Sequence, residues 1–375
     1  MILDDYLQAS IGQLLERARN LQAAISKPFA REFHTLAQTC RNLVNAVIYG
    51  LESLLTDPRY QSPGAQSVRF RDYKRRVKDL DLLENIAFAA LLRSNEEDKR
   101  ITRLVGDIAE EIHYPLVPPV VSCQSQFYFQ AYPLFNLLSV PQKEVHFLLH
   151  LPDLYHELGH FVLLEENNPV VAPFQKAHER SIAEALTYLF NLKAKPTRGP
   201  KTDIAVLSAW EICWMRAWAA EFICDLFGTC ASGSSYGWAH LHLCAKRGGD
   251  PFHVENSPSS THPADEARMF VVLEALTLLG FANEAAEIES KWKQLLTVGG
   301  YKTNADYDRC FAKPLLKAIA KTAVAGYEGM GCRTSSGQTG LRIHDTLNEA
   351  WKQFWAGPKD YPSWERNRVR EIFGS

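Results

Sequence analysis

"LYHELGHFVL", residues 154–163, sets two histidines and a glutamate among apolar residues, and the reading of these positions decides the reading of the chain. Pro152 suits the first turn of a helix, where its missing N–H costs nothing, and Asp153 suits the positive end of the helix dipole. In a helix that starts there, His156 and His160 stand one turn apart on the same face, where two imidazoles can grip one cation. Glu157 lies about 100° round the helix, away from that coordination position but placed to take a proton from a water that a metal makes acidic. From Leu158 to Leu164 every residue except His160 is uncharged and most are apolar, as a buried helix requires. Burying two histidines and a glutamate without a metal would demand other partners for all three.

A catalytic zinc site needs a third protein ligand and an open fourth position. Metzincins supply a further histidine shortly downstream, but here position 166 is Glu166 and position 163 is Leu163. "WAAEFICDLFG" (218–228) offers Glu221 and Asp225 one turn apart. On an ideal helix Trp210, Trp214, Trp218, Glu221 and Asp225 fall within a sector of about 80°, so the carboxylates extend an aromatic stripe that should be buried. Buried carboxylates need cations, metals or strong donors. Glu221 is therefore the expected third ligand to one Zn²⁺ per chain. Asp225 is expected to accept the second imidazole N–H of His156 or His160 and fix its tautomer. Without the upstream motif, pairing of both acids with Arg216 or a lysine at the surface would be the simpler reading.

"SSTHPADEARM" (259–269) reads as a helix start, with Pro263, Asp265 and Glu266 in the first turn and Thr261 or His262 at the cap. A histidine at such an entrance can stabilise an oxyanion. Arg268 can do the same, or can lock the site by pairing with a buried carboxylate. Tyr236, in the "ASGSSYG" interruption (231–237), is a further oxyanion candidate. His240, His242 and Cys244 in "AHLHLC" alternate along a helix and are read as packing residues, and His146 and His150 as flanking the catalytic helix.

The 375 residues, 46% of them apolar, are enough for a large core. A net charge of −2 with interspersed signs argues against a nucleic-acid or membrane-surface partner, and the basic run "RFRDYKRRVK" (69–78) reads as a solvated face. The N-terminus lacks the features of a signal peptide, and the apolar window 204–228 carries Glu211, Arg216, Glu221 and Asp225, too many charges to span a bilayer. Eight cysteines without a CxxC pair fit a reducing compartment, so a soluble cytoplasmic protein is expected.

Helical spacing of apolar residues dominates residues 1–114, a loop at 56–66 aside. Between 115 and 141 the chain turns aromatic, β-branched and proline-punctuated, and two strands are expected, near 120–131 and 134–140. Helices return afterwards, interrupted at 193–202, 231–237 and 246–263. The expected fold is mainly α, of α+β class: a helical N-terminal region (1–114), a zincin-like core with a small mixed sheet (115–295) and a helical C-terminal region (296–375).

HELGH, ExxxD about sixty residues later, and THPxxxxR together resemble the gluzincin zinc metallopeptidases. The last motif is similar to the branch of prenyl-protein proteases and bacterial heat-shock membrane proteases. The likeness covers roughly residues 120–275 and rests on motifs. It implies His156, His160 and Glu221 as zinc ligands, Glu157 as general base, Asp225 as support for a ligand, and His262 and Arg268 near the substrate. "FQAYP" (129–133) is similar to the gluzincin edge strand that holds an extended peptide, which implies Gln130 and Ala131 as substrate contacts, although Gln130 replaces the usual asparagine. The membrane helices of that branch are missing, and the first hundred residues have no counterpart in it. Those helices suit a regulatory role, binding a partner or holding a protease inactive until triggered. The expected activity is zinc-dependent hydrolysis of a protein or peptide substrate; the competing class is a zincin-fold interaction or structural zinc protein without proteolytic activity.

Overall fold

The computed structural model describes residues 2–62, 64–125, 128–142, 144–194, 203–336 and 341–373. The fold is mainly helical with one small mixed sheet. Helices Ile2–Ile25, His34–Thr56 and Gln66–Leu82, followed by a π-helical turn at Leu83–Phe88, enclose a first apolar core that runs from Leu7 to Leu91. A second, larger core runs from Ile101 to Tyr361 and includes residues of the helix Glu96–Glu111 and of the C-terminal helices. The basic run lies on the helix Gln66–Leu82, where Arg75 and Arg76 approach Asp72 and Asp79 one turn away, as a solvated face would.

The sheet joins the two cores. Its strands are β1 (Val120–Ser122), β2 (Gln130–Tyr132) and β3 (Leu137–Ser139), in the order β1-β3-β2. β3 is parallel to β1 and antiparallel to β2, with Val121 and Ala131 both opposite Leu138. Successive strand residues face opposite sides, so Val120 and Leu137 enter the first core while Val121 and Leu138 enter the second. The sequence suggests two strands where three form. The span 120–131 breaks because the Cys123 N–H donates to Asp98 Oδ1 (2.5 Å) instead of to a strand. Asp98 is itself held by a reciprocal capping box with Asn95 at the start of Glu96–Glu111.

Two helices carry the expected site: the HELGH helix, Asp153–Leu164, and the Glu221 helix, Ala219–Ser232. They pack closely at Gly159, where an added Cβ would lie 3.2 Å from Cys224 Cα and 3.2 Å from Phe227 Cβ. Gly159→Ala is therefore expected to push the helices apart at a cost of about 1–3 kcal/mol. Because the ligands on each helix separate with them, thermal unfolding and zinc titration should both shift; a change in stability alone would mean that the helices relax without moving the donors. Ahead of Glu221 the helix Ile204–Cys213 passes through a π-helical turn, Trp214–Trp218, with Trp210, Trp214 and Trp218 fully buried as the stripe requires.

The interruption expected at 231–237 reduces to a single residue. Gly233 adopts φ +67°, and a new helix, Ser234–Arg247, follows at once. Asn348, from the C-terminal helix Arg342–Ala356, satisfies the break: its Oδ1 accepts the Ser235 N–H (3.0 Å) and its Nδ2 donates to the Ser232 carbonyl (3.0 Å). The irregular stretch after Arg247 lasts until the helix Asp265–Leu278. Of the interruption at 193–202, Lys193 and Ala194 end the helix Ala172–Ala194 and the rest lies outside the described residues. The eight cysteines are free and buried, and among the described residues no helix is long and apolar enough to cross a membrane.

Candidate metal centre

His156 and His160 share one face of their helix, as 3.6-residue periodicity dictates, and their Nε2 atoms are 3.2 Å apart. Glu221 closes the triangle, with Oε2 3.6 Å from His156 Nε2 and Oε1 3.6 Å from His160 Nε2. Donors about 2.0–2.1 Å from a tetrahedral cation stand about 3.3–3.4 Å from one another. The triangle therefore fits a zinc-sized ion with little movement, and two imidazoles with one carboxylate are a zinc-type donor set.

Asp225, one turn after Glu221 and fully buried, selects His156: its Oδ1 lies 2.9 Å from Nδ1. A proton on Nδ1 leaves the Nε2 lone pair facing the other donors. The same carboxylate accepts the Tyr236 hydroxyl at 2.5 Å and a two-point grip from Arg268, Nε to Oδ2 at 2.7 Å and Nη2 to Oδ1 at 2.6 Å. Burial raises the Asp225 pKa, but the Arg268 charge and hydrogen bonds outweigh it and hold the carboxyl well below its ordinary range. In the metal-free chain, burial disfavours a charged His156, but hydrogen bonding to Asp225 and the surrounding carboxylates lift it to about 9. His160 is pushed down to about 4 by burial and then by the His156 charge.

Glu157 points elsewhere, as its helical phase requires. Burial pushes it up to about 7 against the opposing His156 charge; the Glu221 and Asp153 carboxylates add to the rise, and the nearby Ala131 backbone on β2 lowers it. A carboxylate poised near neutrality suits a general base. The centre opens into a cavity of about 500 Å³ whose lining includes Tyr128, Phe129, His240, Leu243 and His262.

The remaining expected residues divide. His262 faces the centre, with Nε2 3.6 Å from Glu221 Oε2 and a side chain 54% exposed. It does not cap the following helix: Ala264 holds that position, and the Pro251 carbonyl accepts the Glu266 N–H. Tyr236 is not in a loop but buried on the helix Ser234–Arg247, its hydroxyl committed to Asp225 and 3.1 Å from His156 Nδ1. That is the side of the ring opposite its Nε2, so the hydroxyl braces the His156 ring while Tyr236 also lines the cavity. Arg268 is likewise bonded to Asp225, with Glu221 Oε2 3.5 Å away, and is buried in the wall of the cavity. Gln130 is exposed on β2 with Oε1 accepting the Tyr132 hydroxyl (2.8 Å), whereas the Ala131 backbone lies near Glu157. His146 and His150 pair with Glu97 and Glu144 and stay out of the cluster. Sequence reasoning missed Tyr128, which lines the cavity and donates to Asp153 Oδ2 (2.6 Å); its place in the aromatic run before β2 was the available signal. Comparison with protein-family models, with curated proteins and with solved structures finds no match to this chain.

Proposed function

We propose that the protein is a zinc-dependent metallopeptidase that hydrolyses a peptide bond of an extended protein or peptide substrate. The observation that carries this reading is the convergence of His156, His160 and Glu221 with Glu157 held beside them against a sheet edge. Among the described residues β2 pairs only with β3, which leaves its other side for a substrate strand. A peptide laid on that edge brings a carbonyl towards the donor triangle, because the helix that carries His156 and Glu157 packs against β2.

A bound zinc would supply Lewis acidity, polarising the carbonyl and acidifying a water. Glu157 accepts the proton of that water and delivers it to the leaving amine. His262 at the cavity mouth donates to the developing oxyanion. Asp225, Tyr236 and Arg268 keep the His156 ring in its ligating orientation. The pocket walls Phe129 and Leu243 limit the water around the reacting bond.

Cleavage of a proteome-derived peptide library by the purified chain tests the proposal. Chelation is expected to abolish cleavage and Zn²⁺ to restore it. His160→Ala is expected to lose both cleavage and the zinc held at this centre, measured by elemental analysis. Full zinc occupancy with no cleavage of any peptide would leave the interaction-protein reading in possession.

A further inference from the structure

A second convergence of donors lies on the helix that carries Tyr236. His240 and Cys244 stand one turn apart on Ser234–Arg247, the same spacing as His156 and His160, and Asp265 opens the neighbouring helix Asp265–Leu278 beside them. Their ligand atoms all fall within 4.8 Å of one another, with His240 and Cys244 buried. The reading of this stretch as packing describes His242, whose ring lies against His150 and Trp351, while the pair four residues apart also sets its donors together.

The contacts within this cluster are long for hydrogen bonds. His240 Nε2 is 3.7 Å from Cys244 Sγ and 3.4 Å from the Asp265 carbonyl oxygen. His240 Nε2 and Cys244 Sγ face each other, so an imidazole lone pair and a thiolate can share one cation. With metal–sulfur and metal–nitrogen distances of about 2.3 and 2.0–2.1 Å, a tetrahedral S···N separation is about 3.5–3.6 Å, close to that observed. Arg247 meets the Asp265 carboxylate at Oδ1, the kind of supporting hydrogen bond that ligating carboxylates usually carry.

We propose that His240, Cys244 and Asp265 form a second divalent-cation site, for zinc or a cation of similar softness. Thiolate and imidazole select against magnesium and calcium. On binding, the Cys244 S–H bond breaks, its electron pair goes to the metal and its proton leaves through the cavity that His240 lines. The site shares no residue with the first and stands whether or not that centre is catalytic.

Cobalt titration of the chelator-treated full chain tests it, because only a thiolate ligand produces a sulfur-to-cobalt charge-transfer band in the near ultraviolet, and the first centre has none. The wild type is expected to take two equivalents, one of them raising the band. Cys244→Ser should lose the band and that equivalent, while His156→Ala keeps both. Asp265→Asn, at a helix start where refolding is undemanding, should weaken the band-forming equivalent by about 10-fold or more. No band in the wild type, a band that survives Cys244→Ser, or an unchanged titration in Asp265→Asn overturns the site. A single equivalent that carries the band would instead sustain it and count against the first centre.

Discussion

Glu157→Gln is expected to bind zinc like the wild type and to lose hydrolysis by about 10²–10⁴-fold. The amide keeps the shape of the carboxylate and an oxygen able to accept from the nearby Ala131 backbone, so the side chain stays in place. It has no basic site for the proton of the attacking water. The donor triangle of His156, His160 and Glu221 is untouched, and zinc content by elemental analysis should not change. Stability should not fall either. Burial raises the folded-state pKa of Glu157 from 4.5 to about 7, so the ionised carboxylate opposes folding increasingly as pH rises through that window. Above it the neutral amide removes this opposition, and Tm at mildly alkaline pH is expected to equal or exceed that of the wild type. Cleavage that persists in a zinc-loaded Glu157→Gln chain would remove Glu157 from the mechanism.

Arg268→Met is expected to destabilise the fold by about 3–5 kcal/mol, the cost of leaving a buried ion without its partner. Asp225 is fully buried and takes two hydrogen bonds from this guanidinium. Without them its charge is compensated only by His156 and the Tyr236 hydroxyl. Zinc affinity should fall by about 10–100-fold, because Asp225 orients the His156 ring. Arg268→Lys should recover only part of the loss, since an ammonium cannot reproduce the two-point grip. Adding Asp225→Asn to Arg268→Met should restore some stability without restoring zinc affinity. Denaturant unfolding and competitive zinc titration separate these effects. Wild-type stability and zinc affinity with lost cleavage would return Arg268 to the substrate-contact role that the family resemblance implies.

Much of the site was legible because its parts are local. His156, Glu157 and His160 occupy one turn of a helix, so their relative directions follow from 100° per residue and need no tertiary information. Glu221 and Asp225 could be added because the tryptophan stripe of the same chain segment marks the buried face, and a buried acid demands a partner. The same logic erred where it relied on composition. Small and polar residues at 231–237 suggested a loop, but Asn348, more than a hundred positions away, supplies the missing hydrogen bonds and leaves only Gly233 outside helical geometry. The Cys123 N–H is likewise drawn out of a strand by Asp98, 25 positions earlier.

By itself, then, the sequence determined the helical class, the two histidines and the base on one helix, and a carboxylate pair on another, since each depends on spacing along a repeating backbone. Tertiary structure decided which histidine Asp225 supports, 69 positions apart, and that Tyr236 and Arg268 both hydrogen-bond to Asp225. It also decided that His240 and Cys244 meet Asp265. Those pairings are made through space between separate helices, and helix periodicity fixes the direction of a side chain but not what another helix places in front of it.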